Sequence, residues 1–275
     1  MRTGVFLPTT VPGTTGRQLL DWAVTAEAKG FDSLGVIDRV VYDSYEPLVA
    51  LSLAAAVTER VELVTNVLIS PLRNGGILAK QATSLDRASG GRLTLGLGVG
   101  LREDDFARCD VDVHVRGAVL DEHLRRLTGT NVLVGGDAVH ASKRLMTAGQ
   151  GWTMMIGTPD QFAAGMTQVR DRWADAGRAG EPRGMAVFYA ALGDEAEALQ
   201  TVRSYYSWLG PEIAELIVGS VATTPDAVRA YLAGFEAAGA TDVLIAPCWN
   251  DISQLELLAD AALRTPARAL APALA

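Results

Sequence analysis

The residues able to do chemistry fall in short clusters between apolar runs. Asp38 and Arg39 directly follow the strand-like stretch Ser33-Leu34-Gly35-Val36-Ile37. Arg39 keeps its charge near neutral pH, so it cannot donate a proton there, but its planar fork suits a carboxylate or a phosphate. It is read either as that anion-binding group or as a surface ion-pair residue. Asn66 interrupts the apolar run 61–69. A buried amide needs a partner, either a ligand or a neighbouring backbone group. Gly96, Gly98 and Gly100 alternate with Leu97 and Val99. They leave one side of a strand bare, so that backbone or a flat ligand can come close, with tight packing as the competing explanation. Their spacing is not the dinucleotide fingerprint, because Leu101 stands at its sixth position.

Other constellations are missing. His114, His123 and His140 are scattered without metal spacing, and His123 reads as a surface residue of a helix. Asp110 with Asp112 reads as loop solvation, and Glu103-Asp104-Asp105 as a solvated charge run. Neither a Gly-x-Ser-x-Gly elbow nor a phosphate-binding Walker loop occurs. Cys248, beside Trp249, is expected to be a buried, inert thiol. Trp22, Trp152, Trp173 and Trp208 fall where core or helix packing explains them.

The elements that must position these groups alternate regularly. Strands are predicted at 3–7, 33–37, 61–69, 93–97, 131–134, 152–156, 185–190 and 242–246, with helices between and after them. Eight such units argue for a parallel sheet with helical crossovers, and at 275 residues for a closed (β/α)8 TIM barrel rather than an open sheet. In a barrel the active site lies at the carboxyl ends of the strands. Those ends carry Leu7, Asp38-Arg39, Asn66, Gly98 to Gly100, Gly135-Gly136, Ile156-Gly157, Ala190 and Pro247-Cys248. One domain is expected over 1–264, with an Ala/Pro-rich flexible tail at 265–275.

Bulk composition narrows the class. An apolar share of 49% and a charged share of 20% describe a folded globular chain. A formal charge of −8 and a pI near 5.0 argue against nucleic acid or an anionic membrane surface as a partner. Two cysteines without metal spacing fit a reducing cytoplasm. The first residues form a strand rather than a signal peptide, and no apolar run is long enough to span a membrane.

In order and spacing, several motifs resemble the bacterial luciferase-like monooxygenase superfamily of flavin- and F420-dependent oxidoreductases. They are Lys29-Gly30-Phe31-Asp32-Ser33-Leu34, Thr65-Asn66-Val67-Leu68, Ala79-Lys80-Gln81-Ala82-Thr83-Ser84-Leu85-Asp86, Ser89-Gly90-Gly91-Arg92, Gly96 to Gly100, Arg116-Gly117 with Asp121-Glu122, Val134-Gly135-Gly136, and Ala238 to Asp242. The resemblance spans about residues 6–263. It implies a TIM barrel and a small-molecule substrate, with F420 or FMN stacked at the mouth against Leu7, Asp38, Asn66, Val67, Gly98, Val99 and Gly100. It also implies a phosphate held on the turn Gly135-Gly136, a cis peptide at Asn66-Val67, and a homodimer through helices near strands two and three. Asp38 and Arg39 are the candidate catalytic residues.

Three departures bear on activity. Many F420-dependent members have Asp-His where this chain has Asp38-Arg39, and that His is a proton donor in some. Gly98-Val99-Gly100 stands where luciferases proper place a phosphate-binding Arg, which favours F420 over FMN. F420's acidic tail would then need a basic patch, for which Arg39, Arg73, Lys80 and Arg102 are placed. Finally, the insertion usual before strand five is shortened to Thr128-Gly129-Thr130. That shortening implies an open site, a larger substrate, a covering partner subunit or lost activity. A catalytically degenerate barrel with a binding or structural role is the alternative to the oxidoreductase.

Overall fold

Eight apolar strands, each followed by helix, close into one parallel barrel in the computed structural model, which describes residues 1–127, 129–146, 148–193 and 195–263. The expected tail at 265–275 and Thr128 of the shortened connection lie outside the described residues. In chain order the elements are β1 (Arg2–Phe6), α1 (Gly16–Lys29), β2 (Ser33–Val36), α2 (Pro47–Val57), β3 (Glu62–Ile69), α3 (Gly75–Ala88), β4 (Leu93–Gly98), α4 (Glu103–Arg108) and α5 (Arg116–Arg126). There follow β5 (Asn131–Gly135), α6 (Ala138–Leu145), β6 (Gly151–Met154), α7 (Pro159–Asp175), β7 (Arg183–Ala190), α8 (Glu195–Tyr206), α9 (Pro211–Val218), α10 (Pro225–Ala237), β8 (Asp242–Pro247) and α11 (Ser253–Ala262). Each strand pairs with its neighbours in sequence, and β1 closes on β8 with Val5 opposite Ile245. The β3–β4 register shifts between Thr65 and Leu68, where the Asn66–Val67 peptide is cis, as expected.

Helix ends follow local chemistry. Thr15 and Thr158 each begin a helix with a reciprocal capping box, and Pro47, Pro159 and Pro225 occupy first turns. The charge run expected at Glu103-Asp104-Asp105 is instead the first turn of α4, where carboxylates face the positive end of the helix dipole. Asp105 is fully buried.

At the amino-terminal end of the barrel, Arg183 reaches Glu62 at 2.9 and 3.1 Å and Asp242 at 3.0 and 3.1 Å. Arg2 joins the same two carboxylates at 3.0 and 2.6 Å. At the carboxyl end the packing is apolar. The interior residues Phe6, Val64, Leu133, Met185, Val187 and Leu244 form one cluster with Val202, Tyr205 and Tyr206 of α8 and Ile217 and Val218 of α9. The connection from β7 to α10 therefore covers the mouth. The open site that a shortened connection before β5 implied is not present, because the chain's own α8–α9 segment supplies the cover.

Candidate functional site

Asp38 and Arg39 leave β2 at the mouth, and both are engaged. Asp38 is buried, and its Oδ2 accepts the Ile69 N–H at 2.7 Å and Arg73 Nη1 at 2.5 Å. Arg73 Nη2 reaches Asp38 Oδ1 at 3.2 Å and Glu46 at 2.8 Å. Burial pushes the Asp38 carboxyl above the usual carboxylate range, and Arg73 pulls against that shift. With these bonds Asp38 ties the end of β2 to the end of β3.

Arg39 is no surface residue. Its side chain is 5% exposed, and Nε donates to Asp105 Oδ2 at 2.8 Å. Asp105 Oδ1 accepts the Val40 and Val41 N–H groups at 3.0 and 2.8 Å. The guanidinium carbon lies 5.5 Å from the ring centres of both Tyr42 and Tyr205, a cation–π arrangement with two rings that themselves meet edge to face at 5.0 Å. Nη1 and Nη2 are buried without a hydrogen-bond partner among the described residues. A second fastening lies outside it, where Arg102 pairs with Asp104 and stacks on Trp208 at 5.0 Å. Trp208 is thus a half-exposed rim residue rather than a core one.

The remaining sequence-selected residues sit at the same end, packed by the chain itself. Leu7 is buried and lines the mouth with Phe6, Ile37, Met155, Val187 and Tyr189, leaving a cavity of about 10 Å³. That is the room of roughly one water. Asn66 is fully buried, accepting from Thr153 Oγ1 at 3.0 Å and directing Nδ2 to Met185 Sδ at 3.5 Å. Its partners are side chains of other strands, a solution not among those weighed from sequence. A Cβ on Gly98 would come within 2.6 Å of Val67, one on Gly135 within 2.5 Å of Val67, and one on Gly100 within 2.6 Å of Ile69. Val99 packs half-buried on the core.

Gly98→Ala should therefore cost about 1–3 kcal/mol by overpacking, and Val67→Ala in the same chain should recover part of it. Chemical denaturation checks this. An unaffected Gly98→Ala protein would show that Val67 does not hold that space.

The turn at Gly135-Gly136 leads into α6, where two first-turn amides are occupied. Asp137 Oδ1 accepts from Val139 and His140 N–H at 3.0 and 3.3 Å and faces His140 Nδ1 at 3.1 Å. A phosphate there would meet a carboxylate already in place. Tyr189 and Tyr206 share a 3.0 Å OH···OH hydrogen bond at the mouth, and burial pushes both phenols up, so they keep their protons. Cys248 is buried with its thiol pushed up to about 12, as an inert thiol should be. His123 is buried, not on the surface. Its Nδ1 lies 2.7 Å from Ser70 Oγ, and burial lowers its pKa.

In this conformation the mouth does not fit the flavin or deazaflavin ring that the resemblance implies. Ligand pockets run to hundreds of Å³, against about 10 Å³ here, and the glycine surfaces are filled by Val67 and Ile69. Of the positions for a basic patch, Arg73 and Arg102 are spent on Asp38, Glu46 and Asp104. Asp105 and the tyrosines Tyr42, Tyr189, Tyr205 and Tyr206 were missed from sequence. The available signals were an acidic residue next to Phe106, and two adjacent tyrosines ending an amphipathic helix.

Comparison with known proteins bears on the first half of the chain. The luciferase-like monooxygenase family profile matches residues 1–131. Residues 1–131 are similar to the luciferase-like monooxygenase family. It is a family of oxidoreductases and monooxygenases. An F420-dependent glucose-6-phosphate dehydrogenase of Beutenbergia cavernae is 42% identical over 91 residues, 30% of this chain and 27% of that protein. The matched segments span about a quarter of the length of such relatives. An F420-dependent secondary alcohol dehydrogenase, solved with an F420–acetone adduct, superposes with a TM-score of 0.81 at 15% identity, over 94% of this chain and 97% of that one. The FMN-bound oxygenating constituent of a 3,6-diketocamphane monooxygenase of Pseudomonas putida superposes at 0.71 and 16% identity, over 94% and 96%. At these identities the likeness is one of fold, a closed (β/α)8 barrel.

Proposed function

We propose that this chain is an oxidoreductase that acts on a small organic substrate at the barrel mouth with F420 or reduced FMN, by hydride transfer or monooxygenation. The observation that carries the reading is the match of residues 1–131, the stretch that brings Leu7, Asp38, Arg39, Asn66, Val67 and Gly98 to Gly100 to one end of the barrel. Gly98-Val99-Gly100, without an arginine, favours F420 over FMN. A cytoplasmic placement belongs to the same reading. Admitting a ring requires α8 and α9 to move outward, so the binding-competent form is a fraction of the population and lowers the apparent affinity by that fraction. The closed mouth and the Asp137 carboxylate favour a second reading, a catalytically degenerate barrel with a binding or structural role. Titration of the purified chain with FMN and with F420, followed by absorbance and fluorescence, separates the two. Saturable micromolar binding of either is expected. No binding of either at millimolar concentration supports the degenerate barrel.

The homodimer is part of the proposal. On α2, Leu48, Leu51 and Ala54 are buried in the barrel wall, while Val49, Leu53 and Val57 are exposed, as is Ile77 on the adjacent α3. An apolar face on two adjacent helices suits a twofold interface. Sedimentation at micromolar concentration should give twice 29.0 kDa. A single 29.0 kDa species would remove the dimer.

A further inference from the structure

Among the described residues, two partly buried arginines each bridge a pair of carboxylates. Arg183 joins Glu62 to Asp242, and Arg73 joins Asp38 to Glu46. Arg39 is more buried than either, 5% exposed against 21% and 15%, yet it has one carboxylate, Asp105. That partner takes only Nε. The Nη1–Nη2 edge carries four N–H groups with no hydrogen-bond partner among the described residues. Buried donors of this kind are ordinarily satisfied, and leaving charged ones unmade is costly. Tyr42 and Tyr205 stabilise the cation through their rings, and the Tyr205 hydroxyl lies near Arg39 as a weak acceptor without giving Nη1 or Nη2 a hydrogen bond of normal geometry.

The guanidinium is also fixed in place. Asp105 is held by two backbone N–H groups, and the adjoining rings of Tyr42 and Tyr205 pack together against the guanidinium. Arg39 therefore presents an edge already set for a planar, two-oxygen acceptor. The neighbouring mouth is apolar, lined by Ile37, Phe6, Leu7 and Val187.

We infer that Arg39 is the anion-binding residue of the mouth and that its ligand is a small organic carboxylate, whose two oxygens take Nη1 and Nη2 and whose apolar body lies toward Ile37 and Val187. The ligand supplies the second carboxylate that Arg73 and Arg183 find within the chain. Entry requires the Tyr205 end of α8 to lift from Arg39. Identifying this acid with the substrate rests on the oxidoreductase reading, whereas the binding itself does not.

The test uses the whole chain without any redox cofactor, so its outcome is independent of FMN or F420 binding. Benzoate, the neutral benzamide and inorganic phosphate are titrated separately by calorimetry in low-salt buffer. The variant is Arg39→Met with Asp105→Asn, which removes both charges together and strands neither. Benzoate is expected to bind, benzamide not, and the double variant to weaken benzoate about tenfold or more, the loss of a charge-assisted pair. Benzoate binding that is absent, is matched by benzamide or survives unchanged in the variant overturns the proposal. Arg39-dependent binding of phosphate in preference to benzoate overturns the carboxylate assignment. Should the variant fail to fold, the arginine guanidinium resonances of the unsubstituted protein carry the same test, since benzoate and not benzamide must shift one buried set.

Discussion

Asp105→Ala should lower stability by about 3–5 kcal/mol, the range for removing one partner of a buried ion pair. The carboxylate is fully buried and does two jobs. It is the counter-charge of Arg39, and it accepts the Val40 and Val41 N–H groups in the connection after β2. Alanine strands a cation against Tyr42 and Tyr205 and leaves two backbone donors without an acceptor. Asp105→Asn keeps an oxygen for the backbone and loses the charge, so it should fall between alanine and the parent. Arg39→Met added to Asp105→Ala should recover part of the loss, because the unpaired charge goes with it. Thermal unfolding reads the effect as a drop of roughly 6–20 °C for the alanine variant. A change below about 1 kcal/mol would mean that Arg39 reaches water in solution and that the tyrosine cover does not bury it.

Arg183→Met should cost a comparable 3–5 kcal/mol through the opposite end of the barrel. Arg183 bridges Glu62 of β3 and Asp242 of β8 across the barrel floor. Without it the two carboxylates are left to Arg2, whose side chain is nearly half exposed and screened by solvent. In a TIM barrel this end serves stability and the other end chemistry. Benzoate binding at Arg39 should therefore survive Arg183→Met under conditions where the variant is folded. Parallel loss of stability and binding at 10 °C below the variant's midpoint would show that the two ends are coupled. Equilibrium denaturation with a benzoate titration alongside checks both points.

Much of the architecture was legible because barrel strands announce themselves locally. Apolar runs such as Leu63 to Ile69, bounded by polar caps and prolines, make strand and helix the only ways to bury side chains while bonding the backbone. Thr15, Thr158, Pro47 and Pro225 mark helix starts through hydrogen bonds within one turn. Eight repeats of that alternation leave few topologies besides the closed barrel, and strand order then follows sequence order. The residues of the mouth were legible for the same reason, since whatever follows a barrel strand arrives there.

Their surroundings were decided at long range. Arg39 looks the same in sequence whether it projects into water or is sealed beside Asp105, 66 residues later. Glu103-Asp104-Asp105 has the composition of a solvated run, and only the turn of α4 sends its third carboxylate inward. Gly98 promised open space, but the branched side chain of Val67 fills the volume beside it, and beside Gly135 as well. The cover over the mouth comes from Tyr205 and Tyr206, whose helix is amphipathic by pattern but does not state which surface it meets. Sequence by itself determined the strands, the helix caps, the closed barrel and which residues stand at its mouth, because those follow from hydrogen bonds and periodicities a few residues long. Tertiary packing decided which of those residues are paired, buried or left with open donors, because charge pairing and close packing depend on atoms that only the closed fold brings together.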